Sequence, residues 1–191
     1  MYNLTMKDFL IEARKLAYSE TEKNGIPPIP IMDLSTEKGK EIAKKLGANI
    51  DIVEAGTLLM DCALGRALKE NRLKDHVKMS FNLANGLLEK HSLSKEVKEN
   101  IRHCILEHHG VKKFYSLESE ICCNADCFRF VSIKGFVMQA RYGRNMSFED
   151  MTSLLKKKTD EKWNALSLDV AKKEITPQYE VILKILKGLS E

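Results

Sequence analysis

Apolar residues recur at helical spacing in one segment after another. Met6, Phe9, Leu10, Ala13, Leu16 and Ala17 share a face behind Thr5, whose hydroxyl, with Asp8 three positions on, fits a helix start. Gly25 and the three prolines of the IPPIPI segment predict that this helix gives way to an extended connector. A second helix is expected from Ser35 or Thr36 to Leu46, stopped by Gly47. The third runs from Ile50 to about Leu68, with Ile52, Val53, Leu58, Leu59 and Ala63 nearly encircling it around Asp61, the pattern of a buried helix.

The pattern continues over Leu73 to Leu88, where His76, Ser80, Ala84 and Leu87 fall on one side. Ser94 fits the N-cap of a helix ending at His108-His109-Gly110. In it Val97, Ile101, Cys104, Ile105 and His108 form a stripe that points His108 inward, with His109 turned about 100° away. Ser116 caps the helix that carries Asp126, on which Cys122, Cys123, Asp126, Arg129 and Phe130 are neighbours. FVSIKGFVMQ is read as helical, Ser147 and Asp150 open a helix over Phe148 to Leu155, and Thr176-Pro177 marks the start of the last one. There Val181, Ile182, Ile185, Leu186 and Leu189 are assigned to the core. The expectation is an all-α fold.

With 191 residues, 43% apolar and 30% charged, the chain fits one soluble globular domain, residues 1–191. A net charge of +4 without a long basic stripe allows a small anionic ligand and argues against nucleic acid. Five cysteines without a secreted-domain spacing predict reduced thiols and a cytoplasmic location. Charges interrupt MYNLTMKDFLIEARK where a signal peptide needs an apolar core. No apolar stretch approaches the roughly 18 residues of a membrane span, so no membrane partner is expected.

All five histidines lie between His76 and His109, and Asp61 and Asp126 each sit in an apolar helical run. A buried carboxylate is costly unless it is paired or metal-bound. Cys-Cys-x-x-x-Cys on one helix is no zinc-knuckle spacing, so Cys122, Cys123 and Cys127, like Cys62 and Cys104, read as core thiols. The Lys156-Lys157-Lys158 run reads as a solvated helix end.

The order of these motifs resembles the HD-domain superfamily over about residues 32–131: LLMDCALGRA around Asp61, His76 fifteen residues later, ILEHHG closing a helix, then NADCFRF. The resemblance implies an HD-domain-like helical bundle, here with flanking helices over about 5–24 and 147–190, and a metal-dependent phosphohydrolase activity. The family's core ligands are a first His, a His-Asp doublet and a last Asp. Here the doublet position reads Met60-Asp61 and no His precedes His76; Met32 lies close to the first-His position by count. Both core histidines are thus replaced and both aspartates kept. His76, His108 and His109 match the additional histidines that hold a second metal in HD proteins.

The resemblance therefore implies a divalent ion (Zn, Fe, Mn, Ni or Mg) on Asp61, His76, His108, His109 and Asp126, with Asp61 catalytic. Arg66 and Arg129 fit two roles, gripping a phosphate bidentately or neutralising the neighbouring Asp of a degenerate active site. Two functions follow. One is hydrolysis of a nucleotide or other small phosphate ester; the other is a non-catalytic ligand- or protein-binding module that has lost its core metal site. A homo-oligomer is left open.

Overall fold

A computed structural model describes residues 5–143 and 145–189, in which every regular element is helical. Helix α1 (Met6–Asn24) opens on a reciprocal cap: Thr5 N donates to Asp8 Oδ2 at 2.8 Å, and Asp8 N to Thr5 Oγ1 at 3.4 Å. It closes at Gly25, whose φ of 88° lets its N–H donate to the Thr21 carbonyl.

Helix α2 (Ile29–Leu46) begins well before the expected Ser35. Pro28 is its N-cap and Pro30 lies in its first turn, where the N–H that proline lacks would have had no helical partner. Only the stretch up to Pro28 is a connector. Helix α3 (Ile50–Leu59) also departs from the expected span, since residues 60–63 form turns before α4 (Leu64–Lys69). The break is held from another helix, α5 (His76–Leu88): Ala63 N donates to Ser80 Oγ at 3.1 Å, and Cys62 Sγ donates to the Ser80 carbonyl at 3.8 Å. It places Asp61 in the turn between two helices.

A short 3₁₀ turn (Leu73–Asp75) leads into α5, and α6 (Lys95–Leu106), capped by Ser94, ends just before His108. Helix α7 (Leu117–Val131) starts on a Ser116–Ser119 capping box and is buried over almost its whole second half. Ser132 then starts α8 (Ile133–Tyr142), as the helical reading of FVSIKGFVMQ requires.

Helix α9 (Phe148–Ala165) runs ten residues beyond the expected Leu155, so Lys156–Lys158 lie within it rather than at its end. Helix α10 (Asp169–Gly188) starts before Thr176-Pro177 and carries Pro177 in its interior. Of the residues assigned to its core face, Ile182 and Leu186 are buried, whereas Val181 and Ile185 are exposed.

The core lies where α2, α3, α6 and α7 pack, around Ile42, Leu58, Leu59, Ile105 and Phe128. Gly56 permits this approach: a Cβ there would meet Cys104 Cβ at 2.5 Å and Cys122 Sγ at 2.7 Å. A smaller cluster, Phe136, Leu155, Ile182 and Leu186, joins α8, α9 and α10. Asn124 of α7 pins the α9–α10 connection, accepting from Ser167 N and Leu168 N at 3.1 Å each and donating to Ser167 Oγ. That anchor sets how α9 lies across α7, and so where Lys162 points.

Candidate metal centre

Asp61 offers its two carboxylate oxygens in different directions. Oδ2 accepts from Arg129 Nη1 at 2.5 Å, while Oδ1 faces His108 Nε2 at 3.4 Å and His76 Nε2 at 3.6 Å. Both rings are held from behind. His76 Nδ1 lies 2.7 Å from the Leu73 carbonyl and His108 Nδ1 lies 2.7 Å from the Ile105 carbonyl. A carbonyl only accepts, so each ring carries a proton on Nδ1 and turns its Nε2 towards Asp61.

Asp61 Oδ1 and His108 Nε2 are buried and have no hydrogen-bond partner. A carboxylate oxygen and imidazole nitrogens turned towards one another suit a divalent ion, and the carbonyls behind the rings supply the outer contacts such a site needs. One donor atom each from Asp61, His76, His108 and His109 lies within 4.8 Å of the other three.

His109 completes the cluster in a different way. Its Nε2 is 2.9 Å from His76 Nε2, and its Nδ1 is 2.9 Å from Lys162 Nζ. Although the residue is exposed, packing of its ring against the cluster takes part of it out of water, and this, with the His108 ring and the Lys162 ammonium beside it, pushes its pKa down to about 3, so the ring is neutral.

Asp126, expected among the ligands, lies in the same cavity, but its carboxylate is engaged with cations. Oδ1 is 3.1 Å from Arg129 Nη1, and Oδ2 pairs with Lys162. Arg129 thus bridges Asp61 and Asp126, with Nε donating to Ser35 Oγ at 3.2 Å. Burial would raise both carboxyls; for Asp61 the His108 ring and Arg129 outweigh it, and for Asp126 Lys162 and Arg129 do, so both lie below the usual carboxylate range. Burial pulls the other way on Lys162, yet Asp126 keeps its ammonium above the ordinary lysine value.

Of the two arginines offered for phosphate binding, Arg129 is at the centre. Arg66 turns the other way, pairs with Glu20 at 2.7 Å and is not among the residues that line the cavity. Met60 and Met32 are fully buried, Met32 in the main apolar cluster. The residue that sequence reasoning missed is Lys162. Leu155, Thr159, Lys162 and Leu166 are all buried at helical spacing, and a lysine on such a stripe signals a buried partner.

The cluster opens into a cavity of about 500 Å³. Asp61, His76, His109, Asp126, Arg129 and Lys162 form its polar end, and its walls come from the Ile26–Ile31 segment, α4, α8 and α9. None of the described helices is long and apolar enough to cross a membrane.

No protein-family model matches the chain, and no curated protein matches it. Solved structures do. YpgQ of Bacillus subtilis aligns with a TM-score of 0.68 at 16% identity, over 97% of this chain and 95% of that one. A structure described as a predicted HD superfamily hydrolase, from an uncultured Thermotogales bacterium, aligns with a TM-score of 0.68 at 15% identity, over 93% and 88%. At such identities the likeness speaks for the fold, and it reaches beyond the central motifs to the flanking helices. The chain has an all-α, HD-domain-like fold.

Proposed function

We propose that the chain is a one-metal phosphohydrolase of the HD type, acting on a nucleotide or other small phosphate ester. The observation that carries this reading is the convergence of Asp61 Oδ1, His76 Nε2 and His108 Nε2, two of them buried without a partner and both rings held by backbone carbonyls. Asp61, His76 and His108 would hold the ion, while the contact with Lys162 keeps His109 out of its ligand set. Three protein ligands leave a position open, and a divalent ion there supplies a polarised phosphoryl oxygen and hydroxide near neutral pH. Arg129 fixes Asp61 and Asp126 beside that position, and Lys162 anchors Asp126.

The test is the metal content of untagged protein, with hydrolysis of p-nitrophenyl phosphate and its bis ester in Mn²⁺ or Zn²⁺. Bound metal in the parent chain, lost together with activity in Asp61→Ala and His108→Ala, is the expected result. A metal-free, inactive parent supports the second reading, a non-catalytic module. What favours that reading is Arg129, which holds both aspartates as an internal counter-ion.

A further inference from the structure

The cavity that opens from the metal centre has two unlike halves. Its inner end is the charged cluster, in which the carboxylates of Asp61 and Asp126 are balanced by Arg129 and Lys162. Its outer part is apolar and open to solvent: Leu68 is 49% exposed, Leu73 48%, Tyr142 45%, Met146 42% and Leu154 41%, and all five line the cavity. Pro27, Pro28 and Ile31 carry this apolar surface inward. Outside the charged cluster, the polar side chains among the described lining residues are Gln139, Lys158 and the hydroxyl of Tyr142. Such a patch of exposed apolar surface leading to a polar end marks a binding site, not an ordinary surface.

A nucleoside fits these walls poorly. A base and a ribose carry several donors and acceptors, and each one buried without a partner costs affinity. An alkyl or prenyl-like chain makes no such demand and gains from every methylene removed from water. The floor is charge-neutral when both carboxylates and both cations are counted, so a phosphate is drawn to it only when a divalent ion adds its positive charge.

We infer that the ligand of this cavity is an amphiphilic phosphate ester, its apolar chain against the outer wall and its phosphate at the metal end. This inference rests on the hydrolase reading for the phosphate, while the apolar chain rests on the wall itself. A chain of this type fits a cavity of about 500 Å³, within the range that encloses small-molecule ligands.

The experiment is calorimetric titration of the full chain, in Mn²⁺ and again in EDTA, with butyl-, hexyl- and octylphosphonate and with the phosphonate analogue of adenosine monophosphate. Their P–C bonds are not hydrolysed, so binding is read apart from turnover. Affinity should rise about tenfold for each two methylenes. Octylphosphonate should bind at least about tenfold more tightly than the adenosine compound, and Mn²⁺ should strengthen every member. In Leu73→Gln/Leu154→Gln, two exposed positions that tolerate polarity, the dependence on chain length should flatten. A flat series in the parent chain, an adenosine compound as tight as octylphosphonate, an unchanged slope in the double variant, or no binding by any alkyl compound overturns the inference. Failure to hydrolyse p-nitrophenyl phosphate with the slope intact removes the hydrolase reading and leaves the apolar-chain site standing; hydrolysis with a flat series does the reverse.

Discussion

Lys162 Nζ donates to His109 Nδ1 across 2.9 Å, tying α9 to the residues that follow α6. An ammonium has no lone pair, so this contact leaves the His109 proton on Nε2, the nitrogen 2.9 Å from His76 Nε2. That same nitrogen must present a lone pair if His109 is to bind metal. Lys162 therefore opposes His109 as a ligand, and the buried Asp126 keeps it charged while it does so.

Replacing Lys162 by Met should let the His109 proton move to Nδ1 and free Nε2. Divalent-ion affinity should then rise about tenfold, the lower end of what outer contacts contribute to metal sites. The variant should also lose about 3–5 kcal/mol of stability, because Asp126 keeps only one of its two cationic partners. Calorimetry with Mn²⁺ and urea unfolding measure the two effects separately. Unchanged or weaker metal binding in folded Lys162→Met would mean that Lys162 does not restrain His109.

The depressed His109 pKa gives the fold a pH dependence of definite sign. In the unfolded chain the ring takes a proton near the ordinary value of about 6.5, whereas in the fold it does so only near 3. Between these values the unfolded state binds more protons, so stability falls as pH drops from about 6.5 towards 3. The Asp61 and Asp126 carboxyls, held low in the fold, add a second loss as pH falls below the ordinary carboxylate value. Thermal unfolding in EDTA should show a melting temperature that declines through pH 6 to 4, with a shallower decline in His109→Gln. Parallel profiles for the two proteins would rule out His109 as the source.

The helices and their caps were legible because their signals are local. Thr5, Ser94, Ser116 and Ser147 each bond within a few residues. Asp61, His76, His108 and His109 were found through the order of their motifs, and the structure brings these four together. What escaped the sequence depends on contacts between distant segments. The break after Leu59 is held by Ser80, and Arg66 is drawn to Glu20, 46 positions earlier. Lys162 meets His109 across 53 positions. Pro177 was misleading for another reason: proline favours a helix start but does not forbid an interior place on an exposed face, and Pro177 is exposed.

Gly56 offers a test of the core beneath the site. A methyl group there would come within 2.5 Å of Cys104 Cβ and 2.7 Å of Cys122 Sγ, and Cys104 Cβ is fixed to its backbone. Gly56→Ala should destabilise by about 1–3 kcal/mol, despite a gain of up to about 1 kcal/mol in helix propensity. Urea unfolding gives the value. A more stable variant would mean that α3 and α6 can move apart freely.

Arg129 occupies the space between Asp61 and Asp126, bonded to the first at 2.5 Å and to the second at 3.1 Å. A guanidinium there does what a cation between two carboxylates does: it cancels their charge and holds them apart from each other. Arg129→Met removes that cation while keeping an apolar side chain of comparable length. Without metal, two buried carboxylates then share only Lys162 and the histidines, and the variant should lose about 3–5 kcal/mol. With metal, the same change frees Asp61 Oδ2 and Asp126 Oδ1 as ligands, so the ion should bind the variant more tightly than the parent. Binding to the folded state alone returns stability as RT ln(1 + [L]/Kd), about 2.7 kcal/mol at a hundredfold excess over Kd. Mn²⁺ at one fixed concentration should therefore raise the melting temperature of Arg129→Met more than that of the parent chain. Equal shifts in the two proteins would show that the guanidinium does not stand in for an ion, and that Asp126 is a structural partner of Lys162 alone.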